Sequence, residues 1–267
     1  MKKHETKEMK DNVVSKNFTM INNRLLSRSF SCAILNEAEW KKLLHFTQKS
    51  HYDDGTSTYG KKNFDTYMYT SPKKYKDIVG NLEAMGFIST RQITQKLTST
   101  SLLMTPYCDR KIPETYTYNG RQKQTKSSME KSREHFSQIP NDALESILKN
   151  RSMYVIQIRL MMKIYQYTYL GLFNGVDPNI IYFKGDNMVV SERLLFDLDI
   201  TENQLKNYIE DLIDAGLLSI IRVGLTEVKY GMEVRLVSEN TLSSEYIDTG
   251  ILKPNYIFER MCEYDLN

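Results

Sequence analysis

The side chains in this sequence best placed to do chemistry together are cationic. Lys61, Lys62, Lys73, Lys74 and Lys76, then Arg91 and Lys96, crowd one stretch, and Arg121, Lys123 and Lys126 continue the same charge further on. Cations at this spacing neutralise phosphates, and Asn81, one helical turn beyond the lysines, can reach a base edge. The competing explanation is a lysine-rich helix face that merely meets water. Arg110 and Lys111 extend the basic run and tip the balance towards a polyanion, because a basic arm can order itself along a phosphate backbone.

Other chemistries lack their residues. His4, His45, His51 and His135 form no HExxH, no His-x-His and no Cys/His zinc spacing. Gly60-Lys61-Lys62 is not read as the phosphate loop of a nucleotide motor. The 18 tyrosines could supply a DNA-nicking nucleophile, but the paired-histidine metal site that such chemistry uses is missing. Asp53-Asp54 and Asp197 with Asp199 stand at turn or cap positions, where aspartate is expected anyway. The chain is therefore read as no enzyme, with no cofactor and no metal.

The positioning elements come as a repeat. Ser71 to Ile88, SPKKYKDIVGNLEAMGFI, returns 130 positions later as Thr201 to Leu218, TENQLKNYIEDLIDAGLL. Each copy opens on a capping residue, Ser71 before Pro72 or Thr201 three residues ahead of Gln204. Each keeps one apolar face, Tyr75, Ile78, Val79, Leu82 and Met85 or Leu205, Tyr208, Ile209, Leu212 and Ile213. Each stops at a glycine, Gly86 or Gly216, before an apolar pair that starts a strand. A cap, a helix, a glycine stop and a returning strand make the pattern of a winged helix-turn-helix, whose second helix enters the major groove. The expected fold class is α+β, mostly helical, with two tandem winged helix-turn-helix domains joined by a basic linker.

The expected division is a flexible tail over 1–29, a first winged-helix domain over 30–105, a basic mobile linker over 106–138, a second domain over 139–240 and a C-terminal tail over 241–267. In the first domain Leu35 to Gln48 is a helix capped by Asn36, with Trp40, Leu43, Leu44 and Phe46 for burial. His51 to Asn63 reads as a loop, Phe64 to Thr70 as a short element, and residues 89–105 as a wing with its tip near Lys96 to Ser99. In the second, Asp142 to Leu148 and Ser152 to Leu170 are helices, the latter apolar nearly all round, and Ile180 to Phe183 is a strand. Ser191 to Leu198 is a helix, and Ser219 to Val223 with Glu227 to Val237 form a hairpin joined near Gly224. The tail carries enough apolar residues to dock or to pair two subunits.

Composition bounds the partners. The chain has 267 residues, 40% hydrophobic and 26% charged, which is ordinary for a globular protein. Its charge is lopsided: Lys61 to Arg133 holds 14 Lys and Arg against 6 Asp and Glu, net +8, whereas Asp186 to Asn267 holds 7 against 16, net −9. Glu202, Glu210, Asp211 and Asp214 outnumber Lys206 on the second helix and repel phosphates, although Lys206 and Asn207 can still reach bases. DNA is thus assigned to the first module and linker, and a homodimer or protein contact to the acidic second module or the tail. Three distant cysteines, Cys32, Cys108 and Cys262, fit a reducing compartment. The longest uncharged run, Ile164 to Val176, is too short and polar for a membrane span, so a cytoplasmic location is expected.

The strings SQIPNDALESIL, SMYVIQIRLMMKIY and IIYFKGDNMVVSERLLFDLDITENQLKNYIEDLIDAGLLS, over about residues 138 to 222, resemble the winged-helix domain of plasmid and phage replication initiators from low-GC Gram-positive bacteria. The tandem arrangement also resembles iteron-binding initiators. The resemblance implies binding of origin repeats in double-stranded DNA, bending or opening of AT-rich DNA nearby and recruitment of replication proteins, without an enzymatic site. The acidic second helix departs from that pattern. A winged-helix transcription regulator could use the same parts, and a protein-interaction adaptor could use both modules for contacts.

Overall fold

The computed structural model describes residues 13–15, 17–26, 35–50, 55–58, 60–94, 97–102, 116–118, 121–123, 136–168, 175–228, 231–235 and 249–258. The chain mixes α-helices with small sheets and divides into two compact units. Phe18–Met162 forms one; Met1–Asn17 and Lys163–Asn267 form the other.

The first unit is organised by α1, Glu37–Lys49. Asn36 caps it with a reciprocal box: Asn36 Oδ1 accepts from the Glu39 N–H (3.0 Å) and Glu39 Oε2 accepts from the Asn36 N–H (2.9 Å). Trp40, Leu43, Leu44 and Phe46 are buried as expected; each such side chain contributes about 1.5–3 kcal/mol by leaving water. After α1 come strand β3, Thr56–Ser57, the short helix α2, Lys61–Phe64, and α3, Pro72–Ala84. Strands β4, Ile88–Thr94, and β5, Leu97–Leu102, then close a three-stranded sheet in the order β3-β5-β4. The predicted loop over 51–63 therefore contains a strand and the start of a helix. Its Thr-Ser pair was hidden among turn residues, and tertiary pairing with Ser101 and Thr100 decides it.

Two more pieces complete this unit. Strand β2, Phe18–Asn22, pairs antiparallel with β8, Phe136–Pro140, so that Met20 faces Gln138 and Ile21 faces Ser137. Helix α4, Asn141–Lys149, buries Ala143, Leu144, Ile147 and Leu148 and contacts α1, β2 and β8. The expected tail over 1–29 thus supplies a strand whose Thr19, Ile21 and Asn22 are buried. The start of the expected second domain, around Ile139, joins the first compact unit, because β8 needs β2 to satisfy its backbone groups. Within the predicted linker only β6, Tyr116–Tyr118, paired with β7, Arg121–Lys123, and the start of β8 lie among the described residues.

In the second unit the division falls inside helix α5, Val155–Gln166. The expected all-round apolar character holds: every residue from Gln157 to Tyr165 is buried. Of its two cations, Lys163 donates Nζ to Asp197 Oδ2 at 2.7 Å. Helix α6, Glu192–Leu198, is capped by Ser191, and α7, Glu202–Asp214, by Thr201. A four-stranded sheet runs β10 (Asn187–Val190), β9 (Ile181–Lys184), β14 (Thr249–Pro254), β11 (Leu218–Arg222).

The predicted second hairpin is corrected here. Strand β11 pairs with β14, Ile220 opposite Leu252, whereas β12, Gly224–Val228, pairs with β13, Gly231–Arg235. Gly224 lies in a strand and not at the turn. The apolar run Ile251-Leu252 outcompetes the mixed sequence of β13 for the buried place beside β11. Part of the expected C-terminal tail is therefore sheet, and Tyr256–Phe258 (β15) also pairs in parallel with Val13–Ser15 (β1).

Candidate nucleic-acid interface

The two repeat copies close with the same geometry. In α3 the Phe87 N–H bonds to the Leu82 carbonyl (2.9 Å) and the Gly86 N–H to Glu83 (3.0 Å); after α7 Leu217 bonds to Leu212 (3.0 Å) and Gly216 to Ile213 (2.9 Å). Gly86 and Gly216 take φ of 77° and 72°, where only glycine is unstrained. Ser71 Oγ accepts from the Lys74 N–H (3.2 Å), and Thr201 Oγ1 from the Gln204 N–H (3.3 Å). Repeated cap, face and stop are thus one local solution used twice.

What differs is the exposed charge. Lys73, Lys74 and Lys76 are all exposed in the opening turns of α3, whose first turn contains no acid. Lys62 is exposed on α2. On α7 the first turn carries Glu202, which with Glu210, Asp211 and Asp214 is exposed, while Lys206 Nζ turns to the Asp186 carbonyl at 3.3 Å. A helix N-terminus carries about half a positive charge, so Lys73 and Lys74 in the first turn each cost about 0.3–1 kcal/mol in the absence of an anion, while Lys76 adds its charge one turn on. The same end is a ready anion site.

The other expected contacts are distributed unevenly. Arg91 is exposed on β4. Lys61 is partly exposed and paired with Asp65, whose carboxyl is held below its ordinary range chiefly by that hydrogen bond. Asn81 donates Nδ2 to Glu39 Oε1 at 2.8 Å, tying α3 to α1. Arg121 and Lys123 fall in β7. Lys96 and Lys126 lie outside the described residues, as do Arg110 and Lys111.

Gly55 stands five residues before Gly60, so GTSTYGKK does carry the glycine spacing of a phosphate loop. It lacks the loop's chemistry and shape. Lys62 occupies the place of the metal-binding hydroxyl, Thr56 and Ser57 are strand residues opposite Ser101 and Thr100, and the Gly55 carbonyl accepts the Leu102 N–H at 3.1 Å. Among the described residues no group of three or more His, Cys, Asp or Glu could hold a metal, and no helix is long and apolar enough to cross a membrane.

Behind the cationic surface lies a cluster that periodicity did not reveal. Lys42 is fully buried; its Nζ lies 3.3 Å from His45 Nδ1, 3.9 Å from the Phe46 ring centroid and 4.8 Å from those of Phe64 and Tyr75. Burial pulls its pKa down to about 7, against a smaller opposing pull from Asp65. His45, also buried, is pushed down to about 3 by burial, then by Lys42 and Lys49, and the Tyr75 hydroxyl is pushed up to about 12 by burial, then by Asp65. Lys41, equally buried, donates to the Asn150 carbonyl and pairs with Glu37, both at 2.7 Å. The available signal was the length of lysine: four methylenes let it sit in a core if its nitrogen finds a partner.

Tyr69 was also missed. Of the three aromatics in FDTYMYT, Phe64 and Tyr67 are buried, whereas Tyr69 is 76% exposed with Lys61 Nζ 5.6 Å from its ring centroid. Comparison with protein-family models, curated proteins and solved structures returns no match for the chain.

Proposed function

We propose that the chain is a non-enzymatic, sequence-specific double-stranded DNA-binding protein of the cell interior, with two tandem winged helix-turn-helix modules, that starts plasmid or phage replication at origin repeats. The observation that carries the DNA reading is the placement of Lys73, Lys74 and Lys76. They crowd the positive end of α3 with no acid in its first turn, an arrangement that costs stability alone and is relieved by phosphate.

The element order gives the modular reading its support. Helix α1, strand β3, helices α2 and α3, then the β4–β5 hairpin are the parts a winged helix requires, and α3 is the one whose cationic start would enter the groove. The wing would bring Arg91 to the backbone. The acidic α7 is assigned instead to a protein contact, either a second copy of this chain or a replication protein; pairing two copies would set two α3 helices on related half-sites.

The experiment is selection of genome fragments by the purified full chain at moderate salt, followed by sequencing and footprinting. Clustered direct repeats beside an AT-rich tract are the expected result. A single inverted repeat upstream of a gene would replace replication by transcription control, and no enrichment would leave both modules as protein-contact surfaces.

A further inference from the structure

Tyr69 sits where an aromatic ring is costly to leave in water, and the loop around it cannot fold it away. The Tyr67 and Met68 N–H groups bond to the Phe64 carbonyl at 2.9 and 3.1 Å. Asp65 Oδ1 accepts from both the Thr70 N–H (3.2 Å) and its hydroxyl (3.0 Å). Tyr67 and Thr70, two and one residues away, are buried, so Tyr69 is held outward by neighbours on both sides. Asp65 also fixes Lys61, whose ammonium stands over the Tyr69 ring. Exposed Lys62 precedes this loop and exposed Lys73 follows it.

A solvent-facing ring with a lysine ammonium beside it is a combination that binds nucleotides by stacking and phosphate neutralisation together. In an intact duplex the faces of the bases are already taken by their neighbours, so a ring of this kind finds a partner only where a base has left the stack. We infer that Tyr69 is a stacking contact for an unpaired base, and that with Lys61 at its ring it makes the first module take duplexes carrying unpaired bases in preference to fully paired ones. The inference rests on the DNA-binding reading of the first module and adds to it a substrate class and a residue.

The test measures binding of the full chain to a short labelled duplex and to the same duplex carrying a central run of mismatches, across a salt series. Wild type should bind the mismatched duplex about tenfold more tightly. Tyr69→Ala should remove that difference and leave paired-duplex affinity within about twofold, while Tyr69→Phe, which keeps the ring, should retain the preference. Equal wild-type affinities, a preference that survives Tyr69→Ala, or a Tyr69→Phe variant as impaired as Tyr69→Ala would each overturn the inference. Failure of the underlying reading has a different signature: neither DNA is bound in a salt-dependent way, or joint replacement of Lys73, Lys74 and Lys76 by Ala changes neither affinity.

Discussion

Glu39 and Asn81, 42 positions apart, are joined by a 2.8 Å hydrogen bond from Asn81 Nδ2 to Glu39 Oε1, and the other Glu39 oxygen accepts the Asn36 N–H that starts α1. One buried carboxylate therefore caps a helix and fastens another across it. Asn81, which its position marked as a base reader, is exposed and makes this tether through Nδ2. Asn81→Ala should lower the stability of the first unit by about 1–3 kcal/mol, since it strips a charged acceptor of its partner in a buried place. Chemical denaturation reads the loss. If Asn81 instead reads a base, the variant would alter the footprint and leave stability untouched.

The Lys42 and His45 pair makes stability depend on pH in two windows. Lys42 titrates near 7 when folded and near 10.5 when unfolded, so the unfolded chain holds more protons between those values and stability rises as pH rises through them. His45 titrates near 3 folded and 6.5 unfolded, so its contribution is full above 6.5 and is lost as pH falls towards 3. Beside burial, Asp65 pulls Lys42 back up, while Lys42 and Lys49 push His45 further down. Each window is worth a few kcal/mol at most, since a tenfold change in proton affinity corresponds to about 1.4 kcal/mol. Urea unfolding of Lys42→Met should show a flat upper window, and His45→Gln a flat lower one; unchanged profiles would mean these groups are not buried as described.

Three glycines predict opposite signs. Gly80 lies in the exposed middle of α3 with nothing within 4 Å of a Cβ added to it, so Gly80→Ala should stabilise by about 0.5–1 kcal/mol. Gly86, at φ 77°, should cost about 1–2 kcal/mol when replaced by Ala. A Cβ at Gly250 would stand 2.6 Å from Ile220 Cγ2 and 3.2 Å from the Ile221 carbonyl oxygen, so Gly250→Ala should open the β11–β14 pairing. Thermal melts of the three variants give the order.

Local rules made the repeat legible: Ser71, Thr201, Gly86 and Gly216 act through atoms a few residues away, and their caps and stops follow from sequence alone. Pairing over distance did not show itself. Nothing near Phe18 announces Pro140 as its partner, and nothing near Ile220 prefers Leu252 to the strand that follows at once. In the candidate site the lysine positions were readable, but their states were not. Lys42 and Lys73 look alike in a sequence, yet one lies among Phe46, Phe64 and Tyr75 and the other in water. Burial separates them, and burial is a property of the whole unit.

That difference sets the most direct test of the interface. Replacing Lys73, Lys74 and Lys76 together by Ala removes three cations from the positive end of α3 while leaving the Ser71 cap, whose hydroxyl accepts from the Lys74 backbone. Duplex affinity should fall at least about tenfold, and the log-log salt dependence should shallow by about 0.9 for each phosphate that is no longer neutralised. Stability should move the other way, rising by about 0.6–2 kcal/mol, because Lys73 and Lys74 in the first turn oppose the helix dipole. Lys206→Ala removes one hydrogen bond to the Asp186 carbonyl from an acidic helix and should barely change affinity. Titrations and melts on the same preparations check both signs together. A triple variant that loses stability along with affinity would trace the loss to a damaged fold, and equal effects of the two replacements would remove the distinction between α3 and α7 on which the DNA assignment stands.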